Sequence, residues 1–242
     1  MKKIIITSAV LFLGTNIFAQ KTETANTSMN EISINAGAGS PMGNFAKGDY
    51  ANDKSGFAKG GFHLNLSGTH QLKKNWGINV VIGYSQFGTK GLQSLVNGYK
   101  EDSGTDSTTL TTLNRSSSFN ILVGPVYKII VSDKFSVQLR TLVGYTSTSL
   151  AGFKVYYEDY LAKTIMTQKT ATAGGLGVQI GVGANYKITD KFSILANVDY
   201  FTSKPKFNVG YENYNVNAGR KIDTYKESIS GVNATVGIGF SF

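Results

Sequence analysis

The last twelve residues, Gly231 to Phe242, alternate without interruption and end on an aromatic, and no other segment restricts the fold so tightly. Val232, Ala234, Val236, Ile238, Phe240 and Phe242 share one face of an extended strand. Gly231, Asn233, Thr235, Gly237, Gly239 and Ser241 share the other. Successive side chains of a strand point to opposite faces, so the segment has one continuous apolar face and one of small or polar groups. This is the pattern expected of the closing strand of a membrane barrel.

Seven further segments carry the same pattern. Their apolar faces run Ile32 to Ala38, Phe62 to Leu66, Trp76 to Tyr84, Phe119 to Tyr127, Phe135 to Tyr145, Leu176 to Tyr186 and Phe192 to Tyr200. Pro125 interrupts the fourth of these, because proline has no N–H for the ladder, and a bulge or a local edge is expected there. Tight turns fall at Lys73–Asn75, Ser132–Lys134 and Thr189–Lys191, and the last two repeat a Tyr-Lys-Ile before and an Asp-Lys-Phe-Ser after. Asp and Asn stabilise tight turns through their own backbone, which explains part of that repeat. The other four connections are long. They centre on Pro41 to Gly56, Gly88 to Ser117, Leu150 to Thr172 and Ser203 to Ser228, and read as loops because no period is sustained in them. Three short and four long connections put both ends of the barrel wall at the short-turn side, as in outer-membrane barrels.

Alternation alone does not say which face looks outward, and a soluble lipocalin-like ligand-binding barrel is the rival fold. Its outer face would need solvated charges. Here the polar face is Gly, Asn, Ser and Gln, and only 16% of the chain is charged. Compact polar groups suit the lumen of an eight-stranded barrel, which side chains fill. Aromatics also mark two levels. Trp76, Tyr127, Phe135, Tyr186, Phe192, Phe240 and Phe242 lie near the short turns, and Tyr84, Phe119, Tyr145 and Tyr200 near the long connections. Their separation along tilted strands is about 20 to 25 Å, close to the apolar band of such a barrel. The fold expected over residues 31–242 is therefore all-β: an eight-stranded antiparallel up-and-down transmembrane β-barrel with short periplasmic turns and long outer loops.

Upstream, Lys2 and Lys3 precede an apolar run from Ile4 to Leu13 and then Ile17, Phe18 and Ala19. This order is that of a secretory signal peptide over residues 1–19, with cleavage after Ala19 and a short polar segment over 20–30. No other segment is apolar enough for a spanning helix, so a membrane protein of this sequence has to be a barrel. The chain has no cysteine, which excludes thiol catalysis, cysteine metal sites and disulfides. Its net charge of +9 falls to +7 once Lys2 and Lys3 leave with the signal. The remaining cations scatter over turns and loops with no basic helix or run, so no nucleic-acid partner is expected.

On the Ala19-Gln20 end of the signal, the Gly37, Gly39, Pro41, Gly43 and Phe45 segment and the terminal Phe242, the chain resembles small outer-membrane β-barrel proteins of Gram-negative bacteria. The resemblance is to the OmpA/OmpX-like and porin-like kind common in Bacteroidota, and it spans the mature chain. It implies an outer-membrane location and recognition by the barrel assembly machinery, with Phe240 and Phe242 as the assembly signal.

Candidate chemistry is sparse. His63 falls on the polar face of the second strand, whereas His70 falls on the other face near a short turn, and no carboxylate pair accompanies them. Arg140 and Asp199 are the charges deepest in the strands, both on the polar face. Buried charges need partners, so they are expected to join a polar lumen network with His63, Asn79, Asn120, Gln138, Gln179 and Asn197. Such a network either plugs the barrel or gates a narrow pore. Loop cations such as Lys90, Lys154, Lys169, Lys206 and Arg220 are expected near phosphates of outer-leaflet lipid and lipopolysaccharide, or simply in solvent. Loop tyrosines, Tyr156, Tyr157, Tyr160, Tyr211, Tyr214 and Tyr225, suit hairpins extended above the bilayer, or contact with a glycan or protein. No nucleotide loop, nucleophile elbow, cofactor site or metal site is present in the sequence. A non-enzymatic envelope-structural or surface-interaction role follows, with limited permeation as a lesser reading and an outer-membrane enzyme acting on lipid or peptide as the alternative.

Overall fold

A computed structural model describes residues 30–52, 54–105, 107–159, 162–213 and 221–242. The proposed signal and all but Asn30 of the polar segment lie outside the described residues, as do Tyr160, Tyr214 and Arg220. Eight long strands follow the alternating segments: β1 (Glu31–Met42), β2 (Ala58–Gln71), β3 (Trp76–Thr89), β5 (Ser116–Ile130), β6 (Phe135–Leu150), β9 (Ala171–Lys187), β10 (Phe192–Ser203) and β13 (Ile229–Ser241). They close into one antiparallel barrel in the order β1-β13-β10-β9-β6-β5-β3-β2. Closure is made by β13 against β1, in unbroken register from Ser230↔Met42 to Ser241↔Glu31. Every barrel strand is paired on both sides, as a membrane-spanning sheet requires.

The two faces separate as the alternation predicts, and the apolar one is outside. Ile34, Leu176, Val236 and Ile238 are 57%, 69%, 66% and 60% exposed, whereas Asn35 and Asp199 on the inner face are each 1% exposed. A soluble barrel has the opposite polarity. An outer wall of bare Ile, Leu and Val is stable only against hydrocarbon, so this is a transmembrane barrel. Aromatic side chains pair at both rims of that wall. Trp76 meets Tyr127 at 4.9 Å and Phe192 meets Phe240 at 5.4 Å by the short turns, and Phe62 meets Tyr84 at 5.9 Å at the other rim.

The three short turns are built alike. In each, the amides of the first two turn residues donate to the carbonyl of the aromatic that opens the next strand: Leu72 and Lys73 to Trp76, Val131 and Ser132 to Phe135, Ile188 and Thr189 to Phe192. The first turn makes the same backbone pattern without the sequence repeat of the other two.

Pro125 does not produce a bulge. The pairing of β5 with β6 is Val123↔Val143 on one side of it and Val126↔Arg140 on the other, so no residue is inserted. Two rungs are skipped while Pro125 stays opposite Ile78 of β3. The proline thus makes a local edge, one of the two expected accommodations. A register shift does occur elsewhere, between Lys59 and Gly61 of β2 against β3.

Three of the four long connections are not irregular loops. After β3 comes a helix, α1 (Leu92–Ser103), and then β4 (Ser107–Thr112); β7 (Phe153–Asp159), β8 (Ala162–Gln168), β11 (Lys206–Asn213) and β12 (Lys221–Lys226) fill the others. These five strands form a second sheet in the order β12-β11-β8-β7-β4. Each adjoins in sequence a barrel strand of the matching order, β13-β10-β9-β6-β5, so the second sheet prolongs one side of the wall as a collar above the membrane. The first connection instead docks on α1. The Tyr50 amide donates to Ser94 Oγ at 3.0 Å, and the Tyr50 and Tyr99 rings meet at 5.1 Å. Gly91, at the start of α1, has φ +71° and lies against the backbone of Gly48, a contact that leaves no room for a Cβ.

Candidate functional site

The lumen holds the buried polar groups, and glycines on the strands make the space for them. Arg140 of β6 and Asp199 of β10 are two strands apart, with β9 between them. Their side chains meet across Gly181 of β9: Arg140 Nε donates to Asp199 Oδ1 at 2.8 Å and Nη2 to Oδ2 at 2.6 Å. A Cβ at Gly181 would collide with the Asp199 carboxylate. Asn197 lies over Gly183 and Asn35 over Gly237 in the same manner. The Gly-and-Asn composition of the inner face is thus a packing device, with large polar groups on one strand seated on glycines of the next.

The pair is bidentate and buried on both sides, with side chains 5% and 1% exposed. Such forks are the strongest side-chain hydrogen bonds, yet removing one partner strands a charge away from water. Around it the polar residues form separate groups rather than the single network expected. Asn197 Nδ2 donates to Asn35 Oδ1 at 3.2 Å, and Asn35 Nδ2 donates to Asn65 Oδ1 at 2.8 Å. Asn65 Nδ2 contacts His63 Nε2 at 3.3 Å, and His63 Nδ1 meets Ser85 Oγ at 2.8 Å. This chain of five residues crosses the lumen from β10 to β3. Asn120 accepts from Thr146 Oγ1 at 2.6 Å and from Ser118 Oγ at 3.3 Å. Asn79 donates to Ser67 Oγ at 2.8 Å and Thr69 Oγ1 at 2.9 Å. Gln138 and Gln179 are buried in the wall, but their side chains form no hydrogen bond with a described residue. His70 lies outside, with Nδ1 2.6 Å from Asn30 Oδ1.

Several participants escaped the sequence reading. Asn35, Asn65 and Ser85 complete the crossing chain, and Glu31 accepts from Asn185 Nδ2 at 2.7 Å and Ser193 Oγ at 3.2 Å at the short-turn end. Their inward parity was visible, but their partners depend on stagger between strands far apart in sequence.

Above the polar layer the lumen turns apolar. Phe45, in a 3-10 turn over Gly43–Ala46, is fully buried and packs edge-on against Phe87 of β3 with centroids 5.2 Å apart. Phe201, Ile229, Phe207 and Val209 belong to the same buried cluster, so two residues of the collar's β11 help to close the mouth. The void left between this seal and the Asn120 layer is about 10 Å³, no more than a single water fills. Among the described residues no group of three or more His, Asp or Glu is placed to hold a metal ion.

No family model matches the chain, and no curated protein is similar to it. Solved structures do match. A major outer membrane protein from Thermus thermophilus is 16% identical with a TM-score of 0.50, over 88% of this chain and 99% of that one. Ail, the attachment invasion locus protein of Yersinia pestis, is 17% identical with a TM-score of 0.46, over 89% and 99%. Neisserial surface protein A is 11% identical with a TM-score of 0.41, over 88% and 97%. At these identities the likeness is one of fold. The molecule is an eight-stranded barrel of the outer-membrane type.

Proposed function

We propose that the protein is a non-conducting outer-membrane barrel that serves envelope structure or surface interaction through its collar. The observation that carries this reading is the double closure of the lumen, by the Arg140–Asp199 fork across Gly181 and by the Phe45, Phe87, Phe201 and Phe207 seal above it. An eight-stranded barrel has little interior to spare, and here both layers are occupied. Permeation would require both to move.

Planar bilayers containing the refolded protein test this directly. The wild type is expected to give no stable conductance steps, and Arg140→Ala is expected to stay closed because the apolar seal does not depend on the fork. Steady single-channel steps from the wild type would refute the reading and restore the pore. Lipase and protease assays on the folded barrel address the enzyme alternative, with no turnover expected.

Delivery belongs to the same proposal. Residues 1–19 act as the signal, and Phe240 and Phe242, whose rings stack at 6.2 Å on the outer wall by the short turns, act as the assembly signal. Phe242→Ala is expected to lower the yield of heat-modifiable barrel in the outer-membrane fraction, with unfolded chain accumulating in the periplasm.

A further inference from the structure

We propose that a cleft on the outer wall, at the rim of β2, β3 and β5, binds the phosphorylated headgroup of an outer-leaflet glycolipid, with Lys59 and Arg115 as its two cations. This rests on the membrane placement above. The cleft holds about 610 Å³ between Lys59–Phe62, Gln86, Gly88, Thr89, the start of α1 and Thr112–Arg115. That volume lies within the range of sites for small ligands and far exceeds a lone phosphate.

Its position follows from the barrel's own landmarks. Phe62 forms its lower edge and pairs with Tyr84 in the upper aromatic rim, so the cleft begins where the apolar wall ends. Aromatic rims mark the depth of the headgroups. The cleft faces the membrane side rather than the lumen, since Phe62 and Leu113 in its lining are 46% and 50% exposed. An apolar edge below and cations above fit an amphiphile standing in the outer leaflet.

Lys59 reaches this face because of the register shift in β2. His63 and Gly61 carry the inward parity, and without a shift Lys59 would continue it. The extra residue Gly60 resets the alternation, so that Ala58 is buried at 1% and Lys59 stands outside opposite Gly88. A bulge of this kind re-aims a side chain at a barrel rim. Arg115 stands in the three-residue break between β4 and β5. Both cations are exposed, neither side chain forms a hydrogen bond or ion pair with a described residue, and no carboxylate is among the described residues that line the cleft. Arginine and lysine so placed are suited to phosphate, the arginine as a fork. Gln86, Thr89 and Thr112 beside them supply the amide and hydroxyl groups that pair with sugar hydroxyls.

The test uses the full-length barrel in phosphatidylcholine nanodiscs, titrated with fluorescent diphosphoryl lipid A. Wild type is expected to bind saturably. Lys59→Gln and Arg115→Gln are each expected to weaken binding about fivefold, the effect of one cation near an anionic lipid surface, and the double variant more. Lys191→Gln, an equal charge change in a short turn at the opposite rim, is expected to bind as wild type. Heat-modifiable mobility of each variant scores barrel formation separately, so loss of fold and loss of lipid are read apart. Wild-type affinity in the double variant, equal loss in Lys191→Gln, or equal binding of dephosphorylated lipid A would overturn the site. Saturable binding of inorganic phosphate with the same dependence on Lys59 and Arg115 would assign it to a soluble anion instead.

Discussion

The barrel wall and the collar are continuous in chain and in strand order, yet their polarities are opposite. β10 carries Ile194, Val198 and Tyr200 outward and Asn197 and Asp199 inward. After the break at Lys204 and Pro205, β11 carries Lys206 and Asn208 outward and fully buried Phe207 and Val209 inward. The same swap divides β6 from β7, where inward Gln138 and Arg140 give way to Val155, also fully buried, and outward Leu139 and Val143 to Lys154 and Tyr156. Strand pairing is indifferent to polarity, but the medium outside the wall is not. Where hydrocarbon is outside, an aliphatic surface is acceptable and the polar groups turn inward. Where water is outside, the ordinary hydrophobic effect buries the apolar face. The swap in polarity thus falls across the breaks at 204–205 and 151–152, where the barrel wall gives way to the collar.

The contrast can be attacked at its most costly point first. Asp199→Ala leaves Arg140 buried without a partner and is expected to destabilise the barrel by about 3 to 5 kcal/mol in urea unfolding from lipid vesicles. Adding Arg140→Met should recover most of that loss, since the charge is then gone. If the double variant is no more stable than the single, the fork is not the source of the effect. Phe207→Ala removes the collar's contribution to the mouth seal and should cost about 3 kcal/mol, the low end for a buried phenylalanine. Val198→Arg puts a charge on the lipid-facing wall and is expected to cost about 2 to 4 kcal/mol by the same assay. Asn208→Arg, on the same outward side past the break, should stay within about 0.5 kcal/mol of wild type. Equal costs for these two arginines would abolish the boundary at Lys204 and Pro205.

All eight wall strands were legible in the sequence, and so were the three turns, because a sustained period of two reports a strand and both its faces. The collar was not. Its strands are only six to eight residues long, and segments such as Ser107–Thr112 carry threonines on both faces, so no alternation stood out. Helix α1 escaped for a related reason, since its Gly98 and its polar last turn, Lys100–Ser103, mask the apolar stripe. At the site, the burial of Arg140 and Asp199 and the need for a partner followed from position and charge. That they pair with one another across Gly181, while Gln138 and Gln179 stand apart from the polar groups, did not.

Parity is written into the chain: which residues of each wall strand face in and which face out depends only on neighbours along it. The end on which the short turns lie is settled in the same local way. Which inward groups meet is a matter of ring closure, because partners such as Arg140 and Asp199 are set by the stagger of strands joined into a barrel. Pairing also turns Lys59 to the outer face, since one extra residue at Gly60, opposed by nothing on β3, reverses a parity that the local sequence leaves unmarked.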